Sequence, residues 1–340
     1  MNLIKHSIMK LLNKSILIAV VALLSVSTYA QEEEPAPTIS VAGSIDTYFR
    51  SSESAPGTSF ANLPGFSMGM ANIIMSYEGD KSGFVADFVY GPRGADAVFN
   101  STGSANIVNQ LYAYYNFSDS FKVTMGNFNT FLGYEVISPV ANFNYSTSYM
   151  FSYGPFSHSG IKADIGLSDD ASLMLAVLNS TDYTESQPIG EDFMIGVQLG
   201  LFGQYINYLG GGTAGVSQID FTGGIDLGDS FFLGVNATSY SDDSDIEFSG
   251  FALYPQYTFS DSFALGARFE SFSENGKGLG ALGVDGDNTS FTITGSITAG
   301  NFMIKPEIRM DSASSKFYKD ADGVDTDSLS VFMVAAIYSF

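Results

Sequence analysis

The sequence predicts an all-β protein: a transmembrane antiparallel up-and-down β-barrel of about sixteen strands, with short periplasmic turns and long extracellular loops. Three observations carry that prediction. Apolar and polar residues alternate with period two along much of the chain. Short polar connections alternate with long ones between those stretches. Hydrophobic residues make up 45% of the 340 residues, yet after residue 30 no apolar run approaches the roughly 20 residues that a membrane helix needs.

Composition narrows the function. Asp and Glu total 36 against 14 Lys and Arg, a net charge of −22, and the sparse, scattered cations exclude nucleic acid as a partner. Cysteine is absent, which removes disulfides, thiolate metal sites and thiol nucleophiles. The two histidines, His6 and His158, are too few for most metal or acid–base centres.

Residues 1–30 form the expected cleaved signal peptide. Lys5, Lys10 and Lys14 precede an apolar run over 16–24, and small residues end at Thr28-Tyr29-Ala30, with cleavage after Ala30. Residues 31–38 (QEEEPAPT) read as an acidic periplasmic leader, and 39–340 as the barrel.

The first strand sets the pattern: Ile39, Val41, Gly43, Ile45 and Phe49 share one face, and Ser40, Ser44, Asp46, Tyr48 and Arg50 the other. Further on, Ile161, Ala163, Ile165 and Leu167 oppose Lys162 and Asp164. A glycine-interrupted stretch over 191–209 divides into two strands around Leu201-Phe202-Gly203, and other divisions give fourteen or eighteen strands in all. Ile219, Phe221, Ile225 and Leu227 then oppose Gln218, Asp220, Thr222 and Asp226. Leu265, Ala267 and Phe269 oppose Arg268 and Glu270; Phe291, Ile293 and Ile297 oppose a row of Ser and Thr. Ile304, Pro306, Ile308 and Met310 oppose Lys305, Glu307, Arg309 and Asp311. The last strand covers 328–340, with Phe332, Val334, Ala336, Tyr338 and Phe340 on one face. Helical periodicity is not evident after the signal segment.

Tight turns recur at Gly79-Asp80-Lys81-Ser82, Ser118-Asp119-Ser120, Ser168-Asp169-Asp170, Gly228-Asp229-Ser230 and Ser260-Asp261-Ser262. Long polar stretches cover 51–66, 92–106, 180–190, 241–247, 273–288 and 312–327. Both termini then lie on the periplasmic side.

In hydrocarbon, a closed barrel satisfies every backbone group without leaving an edge, so lipid meets the apolar faces. A lipid-facing Arg or Lys would cost about 2–4 kcal/mol at the midplane, which turns the charged faces inward. The pore-lining candidates are therefore Asp46, Arg50, Lys162, Asp164, Asp220, Asp226, Arg268, Glu270, Lys305, Glu307, Arg309 and Asp311. The competing reading makes these charges structural pairs that fill a closed lumen. The aromatic stretch 131–156, broken by Pro139 and Pro155, is either a constriction loop with Glu135 near its start or an external loop. Pro306 lacks a ladder donor and calls for a bulge or a rim position. His158 lies on polar parity without a catalytic partner motif, and the acidic groups at Asp242, Asp243, Asp245 and Glu247 and at Asp320, Asp322, Asp325 and Asp327 depart from calcium-loop spacing. No cofactor, metal or catalytic residue is expected.

The chain resembles the OmpL-like beta-barrel porin-2 family of bacterial outer-membrane proteins. The residues that carry the resemblance are Gly126-Asn127-Phe128-Asn129-Thr130, Gly133-Tyr134-Glu135, Asn142-Phe143-Asn144-Tyr145-Ser146, Pro155-Phe156-Ser157-His158-Ser159-Gly160, Leu178-Asn179 and Pro306-Glu307-x-Arg309. The resemblance implies an outer-membrane porin with no enzymatic residues to carry over. The expected function is passive diffusion of small hydrophilic solutes or ions, with a cation preference drawn from the acidic excess. The alternative is a non-conducting barrel that binds partners through its loops. Expected partners are outer-membrane lipids, the barrel assembly machinery through the terminal aromatic Phe340, and further copies of the chain in a homotrimer.

Overall fold

The computed structural model describes residues 39–275, 285–320 and 322–340; the expected signal peptide and leader lie outside them. Among the described residues, sixteen strands close into one antiparallel barrel in which each strand pairs with its sequence neighbour and the last pairs with the first. The first half of the wall comprises β1 (Ser40–Arg50), β2 (Gly65–Glu78), β3 (Ser82–Tyr90), β4 (Val108–Ser118), β5 (Phe121–Asn129), β6 (Ser157–Ser168), β7 (Ala171–Leu178) and β8 (Met194–Leu201). The second half continues through β9 (Gln204–Gly211), β10 (Val216–Asp226), β11 (Phe231–Ser241), β12 (Glu247–Ser260), β13 (Phe263–Asn275), β14 (Asp285–Ala299) and β15 (Phe302–Ala313). Two-residue strands β16 (Tyr318–Lys319) and β17 (Asp325–Thr326) pair as a hairpin in the last external loop, and β18 (Ser328–Ser339) closes the seam.

The sequence fixes both faces of this wall. Outward parity carries Ile219, Phe291 and Phe332, all exposed, while Lys305 and Arg309 of the opposite parity are buried inside. The split of 191–209 falls at Phe202 and Gly203, whose φ values of 52° and 75° match the type I′ turn that suits the twist of a two-residue hairpin. Pro306 occupies neither a bulge nor the rim. The β14–β15 register runs from Thr294↔Glu307 to Ile297↔Ile304 without a shift, and pairing lapses between them opposite Gly295. The missing N–H therefore faces a gap in the ladder rather than an acceptor.

Among the described residues, two short α-helices depart from the sequence expectation. They are α1 (Pro92–Ala97) and α2 (Tyr149–Tyr153). Each is too short to show a 3.6-residue pattern. Pro at the first helical turn initiates α1, and the Ser148 hydroxyl caps α2 by accepting the Phe151 N–H at 3.0 Å.

The interior is more apolar than alternation alone indicates. Leu329, Val331, Met333, Ala335 and Ile337 of β18 face inward and pack with Tyr48, Tyr145 and Tyr318. A second cluster joins Phe60, Val98, Ile137, Phe151 and Phe156 from three loops with Met70 and Val89 of the wall. The mouth of the barrel is thus filled by its own loops.

Candidate functional site in the barrel lumen

The segment 131–156 folds into the lumen and not outward, and the charged wall residues hold it there. Glu307 accepts the backbone N–H of Tyr145 at 2.7 Å and that of Ser146 at 3.1 Å. Glu270 does the same for Tyr149 at 3.0 Å and Met150 at 2.8 Å, the first turn of α2. Asp220 accepts the Gly133 N–H at 3.0 Å where the segment enters, and Asp46 accepts the Tyr145 hydroxyl at 2.5 Å. Carboxylates suit this task, since a loop without secondary structure leaves its N–H groups unpaired and each carboxylate offers several lone pairs.

The wall cations take the loop's carbonyls. Lys305 donates to Pro139 O at 2.9 Å and also to Asn142 O. Arg309 donates to Thr147 O at 2.7 Å while it pairs with Asp311 at 2.9 Å. Arg268 donates to Ser146 O at 2.7 Å and meets Glu135 at 2.6 Å. From outside the segment, Arg93 of α1 donates to Ile137 O at 2.9 Å and stacks over the ring of Phe60 at 4.4 Å. Arg50 instead holds the first external loop, donating to Leu63 O at 3.3 Å.

The twelve residues that the sequence assigns to the pore lining therefore fall into three groups. Asp46, Arg50, Asp220, Arg268, Glu270, Lys305, Glu307, Arg309 and Asp311 face inward, at 3% exposure or less. Asp226 ends β10 at the periplasmic rim, exposed. Lys162 and Asp164 face open space. Glu135 sits within the inward segment, 6% exposed, and binds Ser148 N at 2.7 Å besides Arg268. His158 is fully buried, with Nε2 2.9 Å from the Thr130 hydroxyl at the base of the segment.

Sequence reasoning missed Lys122. Its Nζ lies 4.0 Å from Asp164, whose carboxylate Lys162 also contacts at 3.1 Å. The missing signal is cross-strand register: Lys122 lies opposite Asp164, and Thr124 opposite Lys162. Two cavities adjoin this group. One of about 400 Å³ is lined by Gln110, Tyr112, Tyr114, Lys122 and Lys162 among others. The other, about 570 Å³, lies toward the periplasmic turns beside Lys122, Asp164, Gln198 and Tyr205. A third, about 370 Å³, lies under the inward segment against Tyr254, Gln256 and Lys305.

Over residues 38–340 the sequence matches the OmpL-like beta-barrel porin-2 family. A search of curated proteins returned no match. Among solved structures, the chain is similar to in-vitro folded OmpT of Vibrio cholerae in its trimer form, at 15% identity and a TM-score of 0.57, with 90% of this chain and 100% of that one covered. It is also similar to an anion-selective porin from Comamonas acidovorans, at 11% identity and TM-score 0.58, covering 89% and 100%. The outer-membrane channel DcaP of Acinetobacter baumannii aligns at 12% identity and TM-score 0.56, covering 92% and 100%.

Proposed function

The chain belongs to the OmpL-like beta-barrel porin-2 family, outer-membrane porins of bacteria, and from that premise we propose that it conducts small hydrophilic solutes and ions by diffusion, with a preference for cations. A barrel of sixteen strands is wide enough to hold water beside an inward loop. Family and fold support a channel and not an enzyme.

The observation that carries the cation preference is the periplasmic rim. Asp80, Asp119, Asp169, Asp170, Asp226, Asp229 and Asp261 are all exposed on the turns or strand ends there, with Lys81 the cation among them. A ring of one sign at a pore mouth raises the local concentration of counter-ions. The external loops add Asp242, Asp243, Glu247, Asp320 and Asp322. Purified protein in planar bilayers under a potassium chloride gradient tests the reading: a reversal potential on the potassium side is expected, and one on the chloride side overturns it. Liposome swelling with sugars of graded size gives the cutoff.

Three strands support assembly into a homotrimer. β7, β8 and β9 have 8 residues each, against 15 in β14. At about 3.3 Å per residue and a tilt near 45°, 8 residues span about 19 Å, less than the roughly 25 Å apolar band. A second barrel against this low wall removes the mismatch. Crosslinking in native membranes is expected to give trimers; monomers alone would refute it. We also assign to Phe340 recognition by the barrel assembly machinery.

A second reading draws on the filled mouth: a non-conducting barrel that binds partners through its loops. Insertion without single-channel current would favour it.

A further inference from the structure

We infer that the water path past the inward segment runs on the β2–β9 side of the barrel, and that Lys122 and Lys162, rather than the wall cations of β13 and β15, set the permeability of small anions of the carboxylate class. This deepens the porin reading and rests on it for the selectivity half; the path itself stands on geometry.

The lumen is strongly asymmetric. On β13 to β15, Arg268, Glu270, Thr292, Thr294, Lys305 and Arg309 are at 1% exposure or less. Every one of the ionised groups in that set is spent on the inward segment or on a neighbouring side chain. On β5 and β6 the side chains of Lys122, Asp164 and Lys162 are 44%, 32% and 24% exposed. They are also the charged groups that border the two cavities between mid-barrel and the periplasmic turns, apart from the rim acids Glu78, Asp80 and Asp119. Lys122 borders both cavities, so a solute that passes from one to the other passes its ammonium.

The local charge has a sign. Within the group of three, one carboxylate, Asp164, is shared by two ammoniums, Lys162 at 3.1 Å and Lys122 at 4.0 Å, so the group itself carries one positive charge in excess, with Glu78, Asp80 and Asp119 at the rim beyond it. A carboxylate solute can replace part of the hydration of Lys122 while Asp164 keeps Lys162, and the Tyr112 and Tyr114 rings beside them narrow the passage. The acidic rim and this cationic waist then act in series: the rim favours cations, and the waist lets small anions through.

The absence of cysteine makes the test direct, because any introduced thiol is unique. Lys122→Cys, Lys162→Cys and Ala252→Cys are reconstituted in liposomes and treated with N-ethylmaleimide, and the adduct is read by mass. Ala252 faces the covered side at 0% exposure. Cys at 122 and 162 should react at least about tenfold faster than at 252, since a covered thiol reacts only on local opening. Equal rates, or a faster reaction at 252, overturn the path. In bilayers, Lys122→Gln, which leaves the Lys162–Asp164 pair intact, should lower acetate and chloride permeability relative to potassium by about three- to fivefold, the Boltzmann factor of one charge a few ångströms away in water. An unchanged reversal potential overturns the selectivity role. A wild type that carries no current sinks the porin reading instead, and the labelling rates still report on the path.

Discussion

Arg268 of β13 and Glu135 of the inward segment meet at 2.6 Å with both side chains shut off from solvent. Glu135 in turn binds the backbone N–H that opens α2. Wall, loop and helix are thereby joined through one carboxylate. Removing one partner of a buried pair leaves the other charge without compensation, which typically costs about 3–5 kcal/mol. Arg268→Met should therefore loosen the segment, with larger and noisier single-channel conductance. Pairing it with Glu135→Gln should restore part of the wild-type trace, because the stranded charge is gone. Identical conductance in wild type and Arg268→Met would show that the segment does not restrict flow.

Glu307 distinguishes charge from hydrogen bonding. Its carboxylate takes the Tyr145 and Ser146 N–H groups and the Thr294 hydroxyl, at 2.7, 3.1 and 2.8 Å. Gln keeps one acceptor oxygen and Ala keeps none. Hydrogen bonds to charged groups contribute about 1.5–3 kcal/mol each, so Glu307→Ala should lower the urea midpoint clearly more than Glu307→Gln. Equal midpoints would mean that the segment is held by its apolar contacts alone.

Strand parity was legible throughout because alternation is a local signal: it places Lys305, Glu307, Arg309 and Asp311 inside from the residues beside them. The cover over those charges was legible only as one of two readings of 131–156, a constriction loop or an external one. An irregular segment donates backbone groups, and backbone groups leave no residue-type pattern at 131–156. One signal was present. The run 331–338 is apolar at nearly every position, and a strand apolar on both faces cannot border water on its inner side. Tyr145, Tyr318 and Tyr48 are the cover that this run requires.

Asp182 in the external loop after β7 ties down the far end of the inward segment. Its Oδ1 accepts the N–H groups of Phe156 at 2.7 Å and Ser157 at 2.9 Å. Burial pushes its carboxyl up from 3.8 to about 6, opposed by those two N–H groups. The folded value lies above the unfolded one, so the stability contribution is full below about 3.8 and is lost as pH rises through about 6. Asp182→Asn keeps the acceptor oxygen without the charge. Thermal midpoints should fall from pH 4 to pH 7 in wild type more than in Asp182→Asn, with the variant equal or higher at pH 7. Parallel pH profiles would remove Asp182 from this role.

Phe340 acts at the seam in two separable ways. Its backbone N–H and C=O each bond to Gly43 at 3.0 Å, extending the β1–β18 ladder to the last residue. Its ring lies over Gly43, where a Cβ would come within 2.9 Å of it. Deleting Phe340 removes both hydrogen bonds and the ring; Phe340→Ala removes the ring alone. In unassisted folding into detergent, the deletion should therefore cost about 1–3 kcal/mol from the two bonds beyond the loss in Phe340→Ala. In cells the order should change: if the aromatic ring is what the assembly machinery recognises, both variants lose outer-membrane yield to a similar extent, although one retains the full ladder. A normal cellular yield for Phe340→Ala, with a deficit only in the deletion, would leave Phe340 a seam residue and nothing more.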